Sequence, residues 1–154
     1  MLQAGQTAPG FGLLDHAGDM IHLSELKGDQ NVVIYFYPKD DTPGCTVEAQ
    51  DFTKLAQEFA ALDTVVLGIS RDDCASHAAF INKYALNVTL LSDVDGTVCE
   101  KYAVWQEKER NGEKKMGIVR STFIVDMNSQ IRHALYGVSS EGHAAEVLAL
   151  VKAL

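Results

Sequence analysis

Val32-Val33-Ile34-Tyr35-Phe36-Tyr37-Pro38-Lys39-Asp40-Asp41-Thr42-Pro43-Gly44-Cys45 changes character midway, and the change decides the fold. The residues from Asn31 to Tyr37 are apolar, β-branched or aromatic on both alternating faces, which predicts a strand covered on both sides. Pro38 ends it. Thr42 then reads as a helix N-cap, and Pro43 suits the first helical position because it lacks an N–H and has a fixed φ. Cys45 falls at the third helical position, among backbone N–H groups that have no partner inside the helix. Those donors and the positive end of the helix dipole favour thiolate over thiol, lowering the pKa from about 8.5 into a reactive range. The alternative is a small hydrophobe packed in a first turn, a common fate of a free cysteine.

Outward from this stretch, elements alternate. Phe11–Asp15 and Met20–Leu23 flank a Gly-Asp turn and predict a small hairpin, followed by a short helical turn, Ser24–Gly28. Val47, Phe52, Leu55, Phe59 and Leu62 lie at helical spacing between Thr46 and Leu62. Thr64–Ser70 predicts the next strand, and Asp72 or Asp73 can cap a helix running to about Ala85. A short strand at Thr89–Leu91 leads to a helix near Asp95–Tyr102. Gln106–Lys115, rich in Glu, Lys and Gly, reads as a loop or excursion. Gly117–Asp126 and Gln130–Tyr136 predict a second hairpin around Met127-Asn128-Ser129, and Glu141–Leu154 an amphipathic closing helix. This is the order of a thioredoxin-like α/β sandwich, in one domain spanning residues 1–154. A right-handed crossover makes the strands around Thr46–Leu62 parallel. Chemistry in such a sheet sits beyond the carboxyl ends of the strands, where both Cys45 and Cys74 fall.

Composition narrows the classes. With 13 Lys+Arg against 21 Asp+Glu, the formal net charge of −8 opposes binding to nucleic acid or anionic membranes. No apolar run is long enough to span a bilayer, and Met1–Gly10 lacks the parts of a signal peptide, so a cytoplasmic location is expected. Cys45, Cys74 and Cys99 are odd in number, widely spaced and without C-x-x-C, which argues against a disulfide framework or a zinc site. His16, His22, His77, His133 and His143 are scattered and read as surface or internally satisfied residues. No phosphate-binding loop or dinucleotide fingerprint occurs, so no cofactor is expected, and electrons must come from thiols.

Pro38, Thr42 and Cys45 match the P-x-x-x-T-x-x-C motif of peroxiredoxins. The run Tyr37–Glu48 resembles the peroxiredoxin Q or bacterioferritin-comigratory-protein subgroup. Ala8-Pro9-Gly10-Phe11, Leu67-Gly68-Ile69-Ser70, Leu91-Ser92-Asp93 and Arg120-Ser121-Thr122-Phe123-Ile124 extend the likeness over nearly the whole chain. The resemblance implies a three-layer thioredoxin-like sandwich in its peroxiredoxin form, with the N-terminal hairpin. It implies thiol-dependent reduction of hydrogen peroxide and organic hydroperoxides. Cys45 would be the nucleophile, with Thr42 hydrogen-bonding thiolate and peroxide, Pro38 shielding the sulfur and Arg120 holding a positive charge beside it. Glu48 would orient the arginine, or serve only the helix dipole. Tyr102 and Trp105 could line a wall of the site, although core packing accounts for both.

Two departures from the subgroup stand out. A resolving cysteine often lies five residues after the nucleophile, where this chain has Gln50, or in the following helix, where Phe80-Ile81-Asn82-Lys83 contains none. Cys74 is then the geometric candidate for resolution, and Cys99 a weaker one that reads better as core. A one-Cys cycle, with thioredoxin or another external thiol attacking the sulfenate, is the third route. Gly10 stands where relatives commonly have Asp, far from the nucleophile. The absence of a long extension after the last helix favours a monomer. Two other functions share this scaffold: a thiol–disulfide oxidoreductase, disfavoured without paired cysteines, and a non-enzymatic interaction or holdase protein, disfavoured by the joint presence of Pro38, Thr42, Cys45 and Arg120.

Overall fold

The computed structural model describes all of residues 1–154. Its centre is a seven-stranded mixed sheet in the order β2-β1-β5-β4-β3-β8-β9. These strands are β1 (Gly12–Asp15), β2 (Met20–His22), β3 (Asn31–Phe36), β4 (Thr64–Ser70), β5 (Thr89–Ser92), β8 (Ser121–Val125) and β9 (Ile131–Tyr136). β3, β4 and β5 run parallel, as the crossover rule requires, and β8 pairs antiparallel with β3. The N-terminal hairpin joins through β1 against β5.

β3 shows why the sheet needs two covered faces. Val32, Ile34 and Phe36 point into one core with Leu67, Leu91, Cys99, Tyr102 and Phe123. Val33, Tyr35 and Tyr37 point into the other with Cys45, Phe52, Phe80 and Val147. The second face is covered by helices α1 (Pro43–Lys54), α2 (Ala56–Ala61), α3 (Cys74–Tyr84) and α5 (His143–Lys152). The first face is covered by α4 (Thr97–Lys101) and flanking segments that include the 3-10 turn Leu23–Leu26. Helices, sheet and mixed cover make the three layers. No helix is long and apolar enough to cross a membrane.

The fit between layers is tight at Gly68 of β4. A Cβ there would lie 2.7 Å from Tyr35 Cζ, and 2.8 Å from both Tyr35 Oη and Leu90 Cδ2. The Tyr35 ring in turn stacks on Phe52 of α1 at 4.8 Å. We expect Gly68→Ala to destabilise the fold by about 1–3 kcal/mol through overpacking. Urea denaturation of the purified variant measures it, and an unchanged midpoint would mean that the tyrosine yields without cost.

Three segments differ from the sequence expectation. Gln106–Lys115 is not a loop: β6 (Trp105–Arg110) and β7 (Glu113–Ile118) form a separate antiparallel ribbon. Its turn, Asn111-Gly112, has positive φ at both residues (53° and 79°), the two-residue geometry that matches strand twist. The predicted single helix through Leu62 starts at Pro43, as the Thr42-Pro43 signal indicates, but breaks at Leu55, whose φ and ψ of −99° and 5° leave the helical range. The break reorients the chain so that Phe59 enters the same core as Phe52. The predicted strand over Gly117–Asp126 is likewise two, interrupted at Val119-Arg120 between β7 and β8.

Candidate active site

Thr42 occupies the N-cap position of α1 with extended φ and ψ, and Pro43 follows at the first helical position. The expected side-chain cap is absent. Thr42 Oγ1 donates instead to the Lys39 carbonyl at 2.8 Å, closing the loop that joins β3 to α1. The Thr42 carbonyl accepts from the Thr46 amide and hydroxyl, at 2.9 Å and 2.8 Å, so the first turn is secured from the backbone side. Cys45 is 2% exposed in this turn, with its thiol against the aromatic side of β3.

Arg120 reaches the sulfur from the joint between the ribbon and the sheet. Its Nη2 donates to Cys45 Sγ at 3.3 Å, and its Nη1 donates to Glu48 Oε1 at 2.6 Å. The arginine backbone is fixed on either side: Val119 N–H donates to the Val104 carbonyl, and the Arg120 carbonyl accepts from Val138 N–H. Gly44 makes room for the guanidinium, since a Cβ there would stand 3.2 Å from Nη2. The motif alone gave no reason for this glycine; close approach of the arginine supplies one.

Glu48 is fully buried, one turn along α1 from Cys45, and only one of its carboxyl oxygens is paired. Burial raises its pKa from 4.5 to about 7, against the opposing pull of Arg120. The acid therefore holds its proton more tightly folded than unfolded. Stability from this group is fully present below about pH 4.5 and is lost as pH rises through about 7. Glu48→Gln, which cannot ionise, should flatten that loss of roughly 3 kcal/mol. Denaturation midpoints measured between pH 4.5 and 8 check it; parallel curves for parent and variant would refute it.

Pro38 is exposed and borders a groove of about 460 Å³ with Arg71, Trp105, Lys108 and Met116. Trp105 packs one side on the core, while the Arg71 guanidinium lies 4.6 Å over its ring. Tyr102, by contrast, is fully buried, and its hydroxyl donates to the Pro9 carbonyl. Of the two aromatic candidates, only Trp105 faces this groove.

All three cysteines are free thiols. Cys74 is half-buried and opens α3, after Asp73, whose side chain caps the helix by accepting from Ser76 N–H. Cys99 is fully buried in the core on the opposite face of the sheet from Cys45. Burial and the neighbouring Asp93 carboxylate push its thiol pKa far up.

A thiol at a helix N-terminus, gripped by an arginine that a buried carboxylate holds, can be compared with known proteins. The model of the AhpC/TSA family matches residues 4–134. The chain belongs to the AhpC/TSA family. Within it, this peroxiredoxin sits among the Bcp and peroxiredoxin Q members. It is 47% identical to a Bcp peroxiredoxin of Coxiella burnetii over 147 residues, 96% of this chain and 97% of that one. The bacterioferritin comigratory protein of Xanthomonas campestris, described for its alkyl peroxide reduction activity, superposes with a TM-score of 0.88. That match has 40% identity and covers 93% of this chain and 90% of the other. A cysteine-to-serine mutant of peroxiredoxin Q from Xylella fastidiosa superposes with a TM-score of 0.94 at 35% identity, covering 99% and 97%. This peroxiredoxin is thus a thiol peroxidase with the thioredoxin-like fold read from its sequence.

Proposed function

We propose that Cys45 is the peroxidatic nucleophile, acting on hydrogen peroxide and on organic hydroperoxides of the kind the Xanthomonas relative reduces. The observation that carries this reading is the 3.3 Å contact from Arg120 Nη2 to Cys45 Sγ, with Glu48 holding the other arm of the guanidinium. The thiolate attacks one peroxide oxygen: an S–O bond forms, the O–O bond breaks, and the departing alkoxide or hydroxide takes a proton from solvent. Cys45 is left as a sulfenic acid. Arg120 stabilises the attacking anion and donates to the peroxide oxygens as charge moves across them. Thr42, after turning its hydroxyl from the Lys39 carbonyl, donates to the same oxygens, and Pro38 screens the sulfur from water.

Two thiols complete the cycle. The first attacks the sulfenic sulfur, releasing water and leaving a mixed disulfide; the second displaces Cys45 and restores the thiol. Thioredoxin, glutaredoxin or glutathione would supply them in a one-Cys cycle, and Cys74 is the internal alternative. Cys99 is disfavoured, because the sheet stands between it and Cys45. A single-domain monomer working in the cytoplasm fits the charge and the lack of membrane-crossing helices.

Intact mass of the reduced protein after one equivalent of hydrogen peroxide, with dimedone and an alkylating agent present, tests the reading. A dimedone adduct on Cys45 with two other alkylatable thiols identifies the one-Cys cycle. Loss of two hydrogens with one alkylatable thiol identifies an internal disulfide, and peptide mapping names the partner. No rapid change at Cys45 would overturn its assignment.

A further inference from the structure

Asp40 lies between Pro38 and Thr42, yet the motif gives it no role. The residue is 7% exposed, and its carboxylate is the hub of a buried network. Oδ1 accepts from the Tyr37 hydroxyl at 2.5 Å; Oδ2 accepts from the Ser76 hydroxyl at 2.8 Å and lies 2.7 Å from His77 Nδ1. His77 is fully buried, and its Nε2 lies 3.0 Å from the Leu91 carbonyl. A carbonyl can only accept, so Nε2 carries a hydrogen.

The backbone of the same loop is tied down beside this pair. Asp40 N–H donates to Asp72 Oδ2 at 2.9 Å, and that oxygen also accepts from the Ser70 hydroxyl at 2.6 Å. Further out, Asp41 takes a left-handed φ of 57° and accepts from Lys83 Nζ and Tyr84 Oη at the far end of α3. The loop is therefore fastened along the length of α3 while its other end runs directly into the turn that carries Cys45. Ligand-type atoms of Asp40, Asp72 and His77 do converge within 4.8 Å, but the groups already satisfy one another, so the cluster reads as a clamp and not as an ion cage.

We propose that Asp40 and His77 are positioning residues for the peroxide step, fixing the loop that presents Pro38 and Thr42 to Cys45. This rests on Cys45 being the peroxidatic thiol. Peroxide attack needs the O–O bond aligned with the sulfur, so a small shift of the loop is costly. Alkylation by iodoacetamide needs the thiolate but not that alignment. The two reagents separate positioning from reactivity.

The test compares second-order rates of Cys45 with hydrogen peroxide and with iodoacetamide in Asp40→Ala, His77→Ala, the double variant and Asp40→Asn. The asparagine can still accept from Tyr37 and donate to Nδ1. We expect each alanine variant to lose roughly 10- to 100-fold with peroxide, with alkylation little changed. The double variant should be no slower than the slower single, because the pair acts as a unit. Asp40→Asn should recover most of the peroxide rate. Parent-like peroxide rates in the alanine variants, or equal losses with both reagents, would overturn the clamp. If circular dichroism shows that the alanine variants do not fold, Ser76→Ala, which removes one donor to the hub, decides by the same comparison. Slow peroxide oxidation of Cys45 in the parent would instead refute the assignment of the thiol.

Discussion

Cys45→Ser is expected to abolish peroxide consumption, with a loss of roughly 10⁴- to 10⁶-fold, the scale of removing a nucleophile from a site that is otherwise intact. A serine hydroxyl is close in shape, so the first turn of α1 and the loop before it should keep their hydrogen bonds, none of which uses the sulfur except the contact from Arg120. What disappears is the thiolate. Alcohols do not ionise near neutral pH, and oxygen cannot pass through a sulfenic acid. Peroxide consumption coupled to a dithiol reductant measures the effect, with circular dichroism to show that the fold is kept. Retained activity would move the chemistry to Cys74 or Cys99. For Cys99, that would require a fully buried thiol, whose ionisation is opposed by burial and by Asp93, to be the reactive one.

Arg120→Met should have the next largest effect, a fall of about 10²- to 10³-fold in the rate of Cys45 oxidation, the cost of removing a preorganised donor from a developing charge. Methionine keeps much of the stem but not the charge. It also leaves Glu48 Oε1 without its donor in a fully buried position. Arg120 lowers the pKa of Glu48 against burial, so its loss raises that pKa above about 7 and leaves the carboxyl neutral at physiological pH. The variant should therefore fold while reacting slowly. Arg120→Lys should be intermediate: it supplies a charge, but one ammonium cannot reproduce a rigid fork that serves sulfur and carboxylate together. Stopped-flow oxidation of both variants checks the order, and a methionine variant as fast as the lysine one would contradict it.

The parts of this site that lie close together in the chain were readable before any coordinates. Strand β3 announces itself because it is apolar on both faces, and Thr42-Pro43 marks where α1 starts. Arg120 is different. It is 75 residues from Cys45, and no spacing rule links them; only resemblance to a family pointed to it. Its position outside any strand was hidden because the apolar run on either side reads as one continuous strand. For Glu48 the resemblance offered orientation of the arginine and the first-turn position offered the helix dipole, since a sequence does not say which carboxylate of a first turn or two will face inward; the contact with Arg120 is the first of these. Asp40 and His77 show the same limit. A lone histidine is ordinarily satisfied somewhere in the core, and this one is, but its partner sits 37 residues away in the loop between β3 and α1. The ribbon β6–β7 was missed for another reason. Charged on both faces, it lacks the apolar alternation that marks a half-buried strand. Its Asn111-Gly112 turn was the available signal, and that two-residue turn sets the register of so polar a ribbon.

That ribbon runs straight into Arg120, and the stitching at its root has a practical side. The backbone bonds from Val119 to Val104 and from Val138 to Arg120 hold the guanidinium to the body of the protein, while the tip at Asn111-Gly112 stands in open solvent. Both anchors lie at the root of the ribbon, the end that leads into Arg120. The tip is accordingly the part of the ribbon farthest from those anchors, and the place where an attached dye or binding peptide would disturb the Arg120 contact least.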